Sequence, residues 1–126
     1  MTEEQIIDIC KQRNITNYII NSDMSVDVNG NVDLANDDLT DLPLKFNKVT
    51  GSFYCSGNKL TSLKGCPLYT GGDFDCTDNP KLTSLKDLPI NFYVGGEFCC
   101  HKNSIKNPAE YSRLLFGIIG GKIYTG

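Results

Sequence analysis

The sequence predicts an α+β repeat solenoid: about four stacked units of 21–24 residues with short parallel strands, an N-terminal helix/hairpin cap and a C-terminal helix cap. Three observations predict it. The first is self-similarity. Val28-Asn29-Gly30-Asn31-Val32-Asp33-Leu34 returns as Val49-Thr50-Gly51-Ser52-Phe53-Tyr54-Cys55. It returns again as Thr70-Gly71-Gly72-Asp73-Phe74-Asp75-Cys76 and as Val94-Gly95-Gly96-Glu97-Phe98-Cys99-Cys100, at steps of 21, 21 and 24 residues. The second is that the phase persists beyond these segments. Asp37, Asn58, Asn79 and Asn103 each lie three residues past a segment's end, followed by Leu39, Leu60, Leu82 or Ile105 and, in the first three units, by Leu42, Leu63 and Leu85. Leu-Thr-Ser-Leu-Lys occurs identically at 60–64 and 82–86. The third is composition. A chain of 126 residues, 40% of them hydrophobic, can pack one core and fits one domain: a cap over 1–27, repeats over 28–107 and a cap over 108–126.

Each column has a physical reading. Alternation at Phe53/Cys55 and Phe74/Cys76 is that of a short strand with these side chains inward. Stacking then gives an inner column of Val32, Phe53, Phe74 and Phe98, beside one of Leu34, Cys55, Cys76 and Cys100. An Asn amide where the chain leaves the strand can bond the backbone of its own turn and of the next coil. Gly30, Gly51, Gly72 and Gly96, two residues before the inner aromatic, predict positive φ or a bulge. No unit buries its apolar face alone, so stability must come from stacking.

The ends need sealing. Thr2-Glu3-Glu4-Gln5 has the form of a capping box, and Ile6, Ile7, Ile9 and Cys10 follow at helical spacing, which predicts a helix over about 3–13. Tyr18-Ile19-Ile20 and Met24–Val28 read as strands around a turn at Asn21-Ser22-Asp23, with Asn29-Gly30 a further turn signal. Asn107-Pro108 reads as N-cap and first helical residue of a helix through Tyr111, Leu114, Leu115 and Ile118, stopped by Gly120-Gly121.

Phe53-x-Cys55-x-x-Asn58-x-Leu60 resembles the L-x-L-x-x-N-x-L segment of a leucine-rich repeat, and the period of 21 lies in that family's range. One position departs. The family's leading leucine, three before the first inner residue, is here Asn29, Thr50, Gly71 or Gly95, and the apolar residue stands one place earlier. With its phenylalanine, cysteine and glycine columns, the stretch from about 15 to 107 resembles the short leucine-rich-repeat-like proteins of tailed bacteriophages. The resemblance implies a phage protein that modulates a host protein, a defence component among the choices, or a viral one.

Charge and cysteines narrow the function classes. The net charge of −3 runs against a general nucleic-acid binder. No apolar run approaches the ~18 residues that span a bilayer. The acidic start Met1–Gln5 lacks a signal peptide's basic and apolar regions. The expectation is a protein of the cytoplasm (the host's, on the phage resemblance) that binds neither nucleic acid nor membrane and keeps its six thiols reduced. No Cys-x-x-Cys pair supports a zinc ribbon or redox motif.

If the Phe and Cys columns point inward, the outward positions are Asn31, Asp33, Ala35; Ser52, Tyr54, Ser56; Asp73, Asp75, Thr77; and Glu97, Cys99, His101. Four of these twelve are carboxylates and none is Lys or Arg. Lys59, Lys64, Lys81, Lys86, Lys102 and Lys106 fall in the turns and return segments, which predicts an acidic strand face beside a basic edge. Such a face also keeps an exposed sheet soluble. The functional expectation is a non-enzymatic module without cofactor or metal that binds a protein partner's basic surface through Asp33, Tyr54, Asp73, Asp75, Glu97, Cys99 and His101. The alternatives are a small metal or thiol site, in which Cys99 and His101 join Asp75 or Glu97 across neighbouring strands, and a structural, virion-associated role.

Overall fold

The structure, a computed structural model, describes residues 1–125 and, among these, every side chain except those of Arg113, Leu115 and Phe116. The chain opens with helix α1, Glu3–Gln12. Gln5 N donates to Thr2 Oγ1 at 3.2 Å and Thr2 N to Gln5 Oε1 at 2.8 Å, so the expected capping box is formed. Ile6 and Cys10 are buried against the first coil, while Ile7 is exposed. Strands β1 (Tyr18–Ile20) and β2 (Val26–Val28) form the expected antiparallel hairpin.

From β2 onward the chain winds as a β-solenoid of about four turns. The strands are β3 (Val32–Asp33), β4 (Phe46–Val49), β5 (Phe53–Tyr54), β6 (Tyr69–Thr70), β7 (Phe74–Asp75), β8 (Tyr93–Val94), β9 (Phe98–Cys100), β10 (Ile118–Ile119) and β11 (Ile123–Thr125). They build two sheets, ordered β1-β2-β4-β6-β8-β10 and β11-β9-β7-β5-β3, parallel except for β1 against β2. Each coil therefore has two short strands meeting at a corner, where the sequence pattern predicts one. Val28, Val49, Thr70 and Val94 are the inward residues of the first strand, which explains the apolar position ahead of the glycines.

Lack of space, rather than backbone torsion, requires most of the corner glycines. Only Gly30 of the four has positive φ, at +140°. At Gly72 a Cβ would collide with Ser52 Oγ and press on the Gly51 backbone.

The inner columns sit as the pattern predicts. Val32, Phe53, Phe74 and Phe98 are buried, with ring centroids 5.4 Å apart for Phe53–Phe74 and 5.2 Å for Phe74–Phe98. Leu34, Cys55, Cys76 and Cys100 are buried beside them, and Leu60, Leu63, Leu82 and Leu85 close the core from the return side. The Asn amides bond their own turn, as expected, but reach the preceding coil rather than the next. Asn58 Oδ1 accepts from Asp37 N and Leu39 N, and its Nδ2 donates to Leu34 O and Cys55 O. Asp37, at the same position of the first unit, is exposed and pairs with Arg13 at 2.7 Å.

One inner position is polar. Thr70 is fully buried between Val49 and Val94 in its column, and its Oγ1 has no hydrogen-bond partner among the described residues. An unpaired buried hydroxyl is costly, and valine has the same shape. Thr70→Val is therefore expected to stabilise the fold by about 1 kcal/mol, read as a higher urea midpoint at unchanged slope.

The C-terminal segment departs from expectation. Asn107 caps Pro108 as predicted, accepting from Ala109 N at 3.1 Å, but the helix Pro108–Phe116 is 3₁₀ rather than α. Leu114 is buried, and the predicted place of Leu115 lies outside the described residues. Ile118 is not helical. It opens β10, and Gly120-Gly121 forms a corner instead of a helix stop. Ile119-Gly120-Gly121-Lys122-Ile123-Tyr124 thus repeats Val94-Gly95-Gly96-Glu97-Phe98-Cys99, and both sheets continue past residue 107. Among the described residues no helix is long and apolar enough to cross a membrane.

Candidate functional site

The second sheet positions the predicted face. Its strands are in register, so Asp33, Tyr54, Asp75 and Cys99 form one outward column across four coils. Tyr124 extends that column on β11, a member the sequence reading missed because the tail had no assigned repeat. The only signal was Ile119-Gly120-Gly121 echoing Val94-Gly95-Gly96. Asp73 and Glu97 lie in the flanking column toward the corner, and His101 lies in the column on the other side, its ring 5.5 Å from that of Tyr124. Asp33 is exposed, and the other six predicted residues are half-buried.

Several of these side chains also hold the stack together. Asn31 Oδ1 accepts from Ser52 N, Ser52 Oγ from Asp73 N, and Asp73 Oδ1 from Glu97 N, at 2.8–2.9 Å. Asn31, Ser52 and Asp73 thus each satisfy an amide of the following coil. Asp33 Oδ1 accepts from Ala35 N, and Asp75 Oδ1 from Thr77 N, which turns the chain out of the strand. Lys122 follows Glu97 in the flanking column, so the face is not free of basic residues once the fifth strand is counted.

The basic edge is mixed in charge. The six lysines are exposed as predicted, but Lys59 pairs with Asp38 at 2.8 Å. The first sheet adds an outward column that the one-strand reading did not contain: Ile19, Asp27, Lys48, Tyr69, Tyr93 and Ile118. There the Tyr69 and Tyr93 rings stack at 4.8 Å, and Lys48 Nζ lies 5.2 Å from the Tyr69 ring.

All six cysteines are free. Burial pushes the Cys66 thiol up to about 12, and burial, with neighbouring thiols and Asp75, holds Cys55 well above its ordinary value. A hydrogen bond to Cys100, followed by burial, raises Cys76. On the face, partial burial and then Asp75, Glu97 and Asp73 raise Cys99. A nucleophilic cysteine requires the opposite shift. Among the described residues no three His, Cys, Asp or Glu side chains converge to hold a metal ion, so Cys99, His101, Asp75 and Glu97 are not brought together as a ligand set. A cleft of about 420 Å³ lies away from the face, lined by Met24, Leu42, Pro43 and Leu44.

The thiols offer a direct check of the faces. Cys99 is expected to alkylate first, with Cys55, Cys76 and Cys100 protected by the core. Because its thiol is raised, Cys99 should label more slowly than an unstructured cysteine at pH 8, and the difference should narrow as the pH rises past the ordinary value. Mass spectrometry after brief iodoacetamide treatment measures both. Rapid labelling of Cys76 with Cys99 protected would mean the faces are reversed.

No protein-family model, curated protein or solved structure matches the chain.

Proposed function

We propose that the chain is a non-enzymatic protein-binding module that docks on a basic partner surface through the outward face of the second sheet. The observation that carries this reading is the in-register column Asp33–Tyr54–Asp75–Cys99, flanked by Asp73 and Glu97. A tyrosine ring between carboxylates combines contact area with steering charge. The raised Cys99 thiol speaks against the thiol alternative. The leucine-rich-repeat and tailed-phage resemblance supports a host or viral protein as the partner, met in the host cytoplasm, with host defence machinery among the targets.

The structure-bearing hydrogen bonds shape the test. Replacing Asp73 by Lys would remove an acceptor for Glu97 N, so isosteric neutralisation is the cleaner probe. Immobilised chain is used for capture from bacterial lysate, and the captured protein is then titrated against variants. Tyr54→Ala is expected to weaken the complex by about 2 kcal/mol with the fold intact. Asp33→Asn, Asp75→Asn and Glu97→Gln together should mainly slow association, and added salt should shrink that difference. A partner lost from Lys59→Gln, Lys81→Gln and Lys102→Gln, yet retained by both face sets, would place the working surface on the turn edge and overturn the proposal.

A further inference from the structure

The two ends of the stack are not alike. At the N-terminal end α1 buries Ile6 and Cys10, and β1 covers the edge of β2. At the other end two inward columns arrive at β10 and β11. Val32, Phe53, Phe74 and Phe98 are at most 1% exposed, whereas Ile123, next in that column, is 49% exposed. On the first sheet Val28, Val49, Thr70 and Val94 are buried, whereas Ile119, next in that column, is only half-buried.

The backbone pattern is equally unfinished. Phe53 N donates to Asp73 O, Phe74 N to Glu97 O and Phe98 N to Lys122 O, at 2.8–2.9 Å. Ile123 N–H stands next in that series, and no described residue stacks upon it. On the first sheet Val49, Thr70 and Val94 carbonyls accept from Gly71, Gly95 and Gly120, and the Ile119 carbonyl is next. Unpaired strand edges of this kind template the addition of another strand.

The geometry of the last coil also states what such a strand must carry. The corner packs backbone on backbone: a Cβ at Gly120 would strike the Gly95 carbonyl, and one at Gly121 would lie 2.6 Å from the Gly96 carbonyl. The incoming chain must therefore have small residues at its own corner. The position after the corner lies against Lys122, which is exposed and in no ion pair among the described residues. Opposite charges favour each other in such a cross-strand pair. The next position faces inward over Ile123 and takes an aromatic or large aliphatic side chain.

We propose that the C-terminal end of the stack is a strand-accepting site for an extended partner segment with the succession small, small, acidic, aromatic. Gly71-Gly72-Asp73-Phe74 and Gly95-Gly96-Glu97-Phe98 have this form, and both lie inside the stack of a folded copy. The occupant is therefore an extended segment of a partner rather than a second intact copy.

The probe is a fluorescent peptide of residues 92–101 carrying Cys99→Ser and Cys100→Ser, titrated into the whole chain by anisotropy. Saturable binding is expected. Lys122→Glu in the protein should weaken it about fivefold, and a peptide with Glu97→Lys should restore it on that variant. Amide exchange at Ile123 should slow when peptide is saturating, a readout that does not depend on any variant folding. Absence of saturable binding, indifference to both charge reversals, or unchanged exchange at Ile123 each overturns the proposal. So does a chain that sediments as a dimer dissociated by Ile123→Lys, because the occupant would then be a second copy.

Discussion

Phe74→Ala is expected to lower the unfolding free energy by about 3–5 kcal/mol, a large part of the ~5–15 kcal/mol that holds a small domain folded. Phe74 is 1% exposed and lies between two rings of its own column, Phe53 at 5.4 Å and Phe98 at 5.2 Å. The cost of truncation depends on whether the surroundings can collapse into the vacated volume. Here they are held apart. Phe53 N donates to Asp73 O and Phe74 N to Glu97 O, so the ladders on both sides of Phe74 fix the coil spacing. The cavity should persist. Nearest-neighbour coupling in a stack spreads the loss, because the coils before and after both lose contact area. Urea denaturation measures the change. Phe74→Leu, which keeps most of the volume, should cost less than half as much. A Phe74→Ala protein with an unchanged midpoint would contradict the register of the whole second sheet.

The repeat was legible because its columns obey strict physical demands. A phenylalanine column with an alternating partner, a turn amide and two return leucines recur only if units stack in phase, and the buried Phe, Cys and Leu columns follow from that pattern alone. The first strand of each coil was not legible. Tyr69–Thr70 and Tyr93–Val94 are two residues long, which is too short for alternation to register, and Thr70 breaks the apolar run. The same shortness hid the fifth repeat. Gly120-Gly121 after a helical pattern reads locally as a stop, yet neighbouring backbone leaves room for nothing larger at that corner. Tertiary packing assigns those glycines where local propensity points elsewhere.

The candidate face was half legible for a related reason. Inward–outward parity placed Asp33, Tyr54, Asp75 and Cys99 in one column without coordinates. Parity cannot show what else an outward side chain does. Asp73 is both an outward-facing, half-buried acid and the acceptor for the next coil's amide, and Asp75 also turns its own strand out of the sheet. Tyr124 and Lys122 alter the face at its last strand, and they entered only when the tail proved to be a repeat.

Asn79→Ala is expected to cost about 3 kcal/mol or more, for a reason unlike that of Phe74. The amide of Asn79 is fully buried and fastens two coils. Its Oδ1 accepts from Leu60 N at 3.1 Å in the preceding coil, and its Nδ2 donates to Cys55 O at 3.1 Å there and to Cys76 O at 3.0 Å in its own. Cys55 O keeps its bond from Asn58 Nδ2, but alanine leaves Leu60 N and Cys76 O without these partners, and each unmet buried group costs about 1–3 kcal/mol. Asn79→Asp is no rescue: a carboxylate can accept from Leu60 N but cannot donate to the two carbonyls, and its charge would be buried. Asn103 is half-buried and donates to Cys100 O at 2.7 Å, so Asn103→Ala should cost less. Urea titration ranks the variants, and native-state exchange at Leu60 should accelerate in Asn79→Ala more than the global loss alone requires. A cost below about 1 kcal/mol, with Leu60 still protected, would mean that the strand ladders alone hold the coils together and that the asparagine column only shapes the turn.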